Sequence, residues 1–126
     1  MSIDFQINID DDAVLITAVG DISDEEVTEM RIKSLEILDE TGIQNFVVDM
    51  AAVTSFLERS TLRTYEMGKE FVDMKFPLSM KTAVILPIDD KVKEQAQFLH
   101  VVELNRARPP IKYVSSYDEA LNWFRA

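Results

Sequence analysis

Ile3, Phe5, Ile7 and Ile9 alternate with Asp4, Gln6 and Asn8. A period of two marks a strand with one buried face. Asp10-Asp11-Asp12 then reads as a hairpin turn. Ala13 through Val19 is apolar on both faces, as a more central strand requires. From Ser23 the period lengthens to that of a helix. Val27, Met30, Ser34, Ile37 and Leu38 fall on one stripe, Ser23 and Glu26 have capping-box spacing, and Asp24, Glu25 and Glu26 suit the positive helix start. Gly42 is placed to end this helix in a left-handed turn.

Phe46 to Met50 predicts a short buried strand, followed by a second helix somewhere between Phe56 and Met74. Leu62, Tyr65 and Val72 mark one stripe of that helix, with Met67, Phe71 and Met74 beside it, and Pro77 marks its exit. Thr82 to Leu86, ahead of Pro87, predicts another central strand. Asp89 or Asp90 caps a third helix that buries Val92, Ala96, Leu99 and Val102. Arg106 to Pro110 is a basic, proline-stiffened connection into a last strand, Ile111 to Val114. Ser116 and Glu119 form a further capping box and open a terminal helix through Ala120, Leu121, Trp123 and Phe124.

The predicted order is β-β-α-β-α-β-α-β-α: an α/β fold with five strands in a mixed, mostly parallel sheet and about four helices. Strand–helix alternation implies right-handed crossovers, and the leading hairpin supplies one antiparallel pair. No internal repeat or linker divides residues 1–126, so a single domain is expected.

Composition narrows the function classes. With no cysteine and one histidine, His100, the chain has no disulfide framework, thiolate metal site or histidine-rich metal site. The acidic turn at residues 10–12 lacks the alternating ligands and glycine of a calcium loop. No cofactor is expected. The net charge of −10 is uneven: residues 1–50 hold 13 acidic and two basic side chains, and residues 51–126 hold 10 and 11. Such a chain repels phosphate backbones, which argues against nucleic acid, and its acidic half suits either solvation or a basic partner. The N-terminal residues show no basic-then-apolar signal pattern, and no apolar run approaches a membrane span, so a soluble, cytoplasmic protein is expected.

Catalytic motifs are missing. Three glycines cannot build a phosphate-cradling loop or a dinucleotide fingerprint, and His100 sits mid-helix among apolar neighbours, where a surface or packing role is expected. One segment, Val48 to Leu62, is more informative. An acid, Asp49, ends a strand, a hydroxyl-bearing loop follows, and a helix begins; open α/β sheets favour ligands at such places. The candidate partner or anion site there comprises Asp49, Ser55, Glu58, Arg59, Ser60 and Thr61. A purely structural account is also available, with Ser55 and Glu58 as a capping box and Asp49 tying down its own loop.

This segment resembles the central motif of the STAS domain of bacterial anti-sigma-factor antagonists, where Asp-Leu-Ser-x-Val leads to Asp-Ser-Ser-Gly-Leu at a helix start. Asp49-Met50-Ala51-Ala52-Val53 matches the first half, and Glu58-Arg59-Ser60-Thr61-Leu62 stands at the second. The element order and the ending Tyr117-Asp118-Glu119-Ala120-Leu121-Asn122-Trp123-Phe124 look like the divergent SpoIIAA-like branch, grouped with STAS/Sec14-type domains. The resemblance implies a SpoIIAA-like fold and a regulatory domain that binds a protein. In the antagonists a phosphorylatable serine at that helix start is the switch; here Arg59 takes its place, Ser60 follows, and Thr61 replaces the glycine. These departures weigh against carrying the switch over.

The leading expectation is a non-enzymatic binding or regulatory domain that presents residues 50–62 and the following helix to a protein partner. The alternative is a carrier or sensor of a small apolar or amphipathic, lipid-like ligand, for which Phe56, Leu57, Met67, Phe71, Met74 and Phe76 supply more apolar surface than one stripe needs. The same surface would suit a homodimer. An enzyme is the least favoured reading, because no nucleophile–base pair is apparent.

Overall fold

The computed structural model describes residues 2–57, 60–104 and 109–126, with residues 102–104 described by backbone alone. Nine elements follow in the expected order. They are β1 (Ile3–Asn8), β2 (Ala13–Ile22), α1 (Asp24–Thr41), β3 (Asn45–Phe56), α2 (Thr61–Asp73), β4 (Lys81–Ile85), α3 (Asp90–Leu104), β5 (Ile111–Tyr113) and α4 (Tyr117–Arg125).

The strands form one sheet in the order β1-β2-β3-β4-β5. β1 pairs antiparallel with β2 across the acidic turn, and every other pairing is parallel. Three crossovers step the same way across the sheet, so a common right-handed sense puts α1, α2 and α3 on one face. The core divides accordingly. Ile16, Phe46, Val48 and Val84 bury against Val27, Ile37, Met67, Ala96 and Leu99 of those helices. The alternate residues Leu15, Val47, Ala83 and Ile85 meet Ala120, Trp123 and Phe124 of α4 on the other face. Strand alternation thus explains why β2, β3 and β4 read as apolar on both sides.

Local chemistry fixes the helix ends. Ser23 and Glu26 make the reciprocal capping box, and Gly42 closes α1 at φ +73°, a conformation open to glycine without a Cβ penalty. Asp89 caps α3 by accepting from the amides of Lys91 and Val92. Ser116 caps α4 by accepting from Glu119 N–H. Tyr117 then ties α4 to the leading hairpin: its hydroxyl donates to Asp11 Oδ2 at 2.9 Å and accepts from Asn8 at 2.8 Å. Burial raises the Tyr117 pKa, the hydrogen bond to Asp11 adds to the rise, and that from Asn8 opposes it.

Three sequence expectations need correction. Ile7 and Ile9 are exposed, Ile9 by 78 %, because Ile7 lies at the hairpin end of an edge strand with one neighbouring strand for shelter and Ile9 falls in the turn beyond it. β3 does not stop near Met50 but runs to Phe56, since β2 is long enough to pair with it as far as Ile22. The α2 stripe is also out of phase. Thr64, Met67 and Gly68 are buried, whereas Leu62 and Tyr65 face outward and are 71 % and 50 % exposed. Small side chains at 64 and 68 let the helix pack closely, which an apolarity count cannot see. In α3, Val92, Ala96 and Leu99 are buried as expected; the Val102 side chain lies outside the described residues, as do Arg106 to Arg108.

Candidate functional site

Two places are built by the sequence around residues 49–76: the start of α2 and a cavity beneath it. Ser60 is extended, at φ −89° and ψ 168°, and its hydroxyl accepts from Arg63 N–H at 3.1 Å, so Ser60 is the N-cap of α2. Its carbonyl receives the Thr64 hydroxyl at 3.0 Å. Arg63 turns outward to Glu70 at 2.8 Å and reaches Asp24 of α1 at 3.4 Å. A second arginine, Arg31 of α1, donates to the Met67 carbonyl at 3.2 Å and stacks 4.6 Å over the Phe71 ring. Two arginines therefore lock α2 to α1, one at its beginning and one at its middle.

The expected site residues do not gather. Asp49 lies within β3, about 23 Å of strand before Phe56 at ~3.3 Å per residue. Its carboxylate accepts from Ala51 N–H at 3.0 Å, so the expected local tie is real, but it braces a strand irregularity rather than a loop. Between Thr17/Asp49 and Val19/Ala52, β3 carries one residue more than β2, and it does so again before Asp21/Ser55, where Gly20 adopts φ +81°. Ser55 is consequently a strand residue and caps no helix. It donates to Asp21 Oδ1 at 2.8 Å, and Thr54 donates to the same oxygen at 2.8 Å. The Thr54 bond and then the Ser55 bond hold the Asp21 carboxyl below its ordinary value. Asp21 escaped the sequence reading because only the shifted register brings it opposite the two hydroxyls. Ser60 and Thr61 are exposed at the helix start; Glu58 and Arg59 lie outside the described residues.

The apolar candidates separate as well. Phe56 and Met67 are buried, Met67 with no exposed surface, while Leu57 is 45 % exposed. Phe71 and Met74 are half-buried against the core, and Phe71 stacks on Phe76 with ring centroids 4.8 Å apart. Phe56, Phe71 and Phe76 line a cavity of about 120 Å³ between the inner face of the sheet and α1–α3. Folded cores are normally filled, so a hollow of this size among core side chains stands out. Its other walls include Ile16, Phe46, Val48 and Ala96, and its polar lining is Arg31, Ser34, Thr82 and His100. Ser34 is satisfied within α1 by the Met30 carbonyl at 2.8 Å. His100 is a half-buried helix histidine, with Nδ1 2.7 Å from the Tyr113 hydroxyl and its ring tilted against the Tyr113 ring. Among the described residues, no group of three or more His, Asp or Glu side chains is placed to hold a metal ion, and no helix is long and apolar enough to cross a membrane.

No protein-family model matches the chain, and no curated protein matches it in sequence. Its fold has close solved counterparts. The anti-sigma factor antagonist SpoIIAA, in its unphosphorylated form, superposes with a TM-score of 0.57 at 12% identity, covering 98% of this chain and 98% of that one. An uncharacterized protein of the DUF3478 family with a SpoIIAA-like fold, from Shewanella loihica PV-4, gives 0.56 at 18% identity over 96% of this chain and 90% of that one. The chain thus has a SpoIIAA-like fold along nearly its whole length, as the resemblance implied.

Proposed function

We propose that this chain is a non-enzymatic regulatory domain that docks a protein partner through the start of α2 and the ridge formed by α2 and α3. The observation that carries this reading is the outward face of α2. Leu62 and Tyr65 are exposed there, and Tyr65 meets Phe98 of α3 edge-to-face at 5.9 Å, with Val101 exposed one turn further on. Apolar side chains paired across two helices and left in water mark an interaction surface better than single exposed residues do. Arg63 binds Asp24, so the acidic first turn of α1 borders the same surface. A partner with an apolar anchor and a basic rim is complementary to it. The likeness to a solved anti-sigma factor antagonist supports a partner-binding role.

The test is affinity capture with wild type, with a Leu62→Ser/Tyr65→Ser pair, and with an Arg59→Glu/Ser60→Asp pair. The surface pair is expected to keep its melting temperature and lose a partner that wild type retains. Identical partner sets for wild type and both variants would count against this surface. Concentration-dependent sedimentation that disappears in the serine pair would assign the ridge to a second copy of the chain instead.

A further inference from the structure

The free edge of the sheet carries an inference independent of the α2–α3 ridge. We propose that β1 pairs antiparallel with β1 of a second copy of the chain, across a two-fold axis at Phe5, and joins the two sheets into one. The hydrogen-bond phase of β1 comes first. Val19 N–H donates to the Ser2 carbonyl at 2.9 Å, so Ser2 and Val19 are a hydrogen-bonded pair. Such pairs recur at every second residue, which in the register Ile3↔Ala18 to Asn8↔Ala13 turns the N–H and C=O groups of Asp4, Gln6 and Asn8 toward β2. Those of Ile3, Phe5 and Ile7 point the other way, where the sheet has no further strand among the described residues. The two edges differ in protection. β5 is three residues long and follows Pro109 and Pro110, whereas β1 runs for six residues without proline, lysine or a shift in register, and Ile7 on it is 43 % exposed. Of the devices that blunt an edge against pairing, β1 carries one charge, Asp4.

Register then selects the occupant. Only Ile3, Phe5 and Ile7 present outward groups, so they must face one another as the hydrogen-bonded pairs. Setting Phe5 opposite its own copy pairs Ile3 with the partner's Ile7 and uses every outward group from Ile3 to Ile7. Apolar side chains then meet on the helix-bearing face, where Ile3 and Phe5 already join the core. On the opposite face the exposed Asp4 meets the partner's Gln6, a carboxylate beside a carboxamide that can donate to it. A shift by two residues one way sets Asp4 against Asp4, and the other way leaves Ile3 opposite Ile9, in the turn. A chain of net charge −10 thus has one full register in which its own edge pairs with no like charges opposed. The contact is the same patch on both copies, so it closes at two and leaves β5 at both outer edges.

Sedimentation velocity of the full chain from about 10 μM to about 1 mM covers the range of a small interface. About 0.3 M salt screens the net charge of each chain and the Lys33 ammonium groups, which lie over the Phe5 rings near the axis. A monomer–dimer equilibrium is expected. Gln6→Lys is expected to tighten it at least about threefold and Gln6→Glu to weaken it as much, because position 6 then faces Asp4 with opposite or like charge. Gln6 is exposed, so the melting temperature of the dilute protein stays unchanged. Ile7→Lys, which puts a charge on the edge, is expected to abolish the dimer. The chain has no cysteine, so cross-linking reads the register: Asp4→Cys mixed with Gln6→Cys is expected to form a disulfide-linked dimer faster than either variant alone. A chain that stays monomeric throughout, or a dimer that Ile7→Lys leaves intact, would overturn the edge pairing, and loss of that dimer in Leu62→Ser/Tyr65→Ser would assign it to the ridge. Cross-linking of Asp4→Cys alone as fast as the mixture would overturn the axis at Phe5.

Discussion

Ser60 separates two roles that a helix start can combine, capping and recognition. Its hydroxyl accepts from Arg63 N–H at 3.1 Å, and the first turn of α2 contains no acidic residue. Ser60→Ala removes that acceptor and leaves the amide to exposed solvent, which costs about 1 kcal/mol. With an unfolding entropy of about 2 cal/mol/K per residue, over 126 residues, the melting temperature falls by about 4 °C. Ser60→Asp keeps an acceptor of equal capping rank and adds a negative charge at the positive end of the helix, so stability is unchanged or gains about 0.5 kcal/mol. Differential scanning calorimetry on the three proteins measures the order Asp ≥ Ser > Ala, and hydrogen exchange at the Arg63 amide localises it. If aspartate melts with alanine, the capping assignment is wrong. If aspartate keeps full stability and the partner's affinity changes, charge at this position is read by the partner, as the docking proposal expects.

Other outcomes are equally specific. Met67→Ala, at a fully buried position on α2, is expected to cost about 2–5 kcal/mol in urea unfolding, far more than Leu62→Ala on the exposed side of the same helix, where the change stays within ~0.5 kcal/mol. Because Asp21 is depressed in the folded state, its stabilising effect is fully present above its unfolded value of about 4 and is lost only as pH falls through the lower folded value. A Thr54→Ala/Ser55→Ala pair should bring the carboxyl back toward its ordinary value, read by carbon-detected NMR titration of Asp21. Gly42→Ala is expected to destabilise the end of α1 by about 1 kcal/mol, measured by thermal melting, because alanine is strained at φ +73°.

Much of this was legible in the chain. Period, caps and breakers determined the nine elements, their order and the single antiparallel pair, because each depends on neighbours within a few residues. Ser23–Glu26, Gly42, Asp89 and Ser116 act where their spacing places them. Tertiary structure decided what depends on partners distant in sequence. β3 runs on to Phe56 because β2 is there to pair with it, so Ser55 becomes a strand residue bonded to Asp21 and Ser60 takes the cap of α2. Which side of α2 is buried depends on how closely Thr64 and Gly68 allow it to pack, and a set of apolar residues cannot declare that alone. The cavity is likewise the gap left when three helices settle on one face of the sheet; its volume belongs to no single residue.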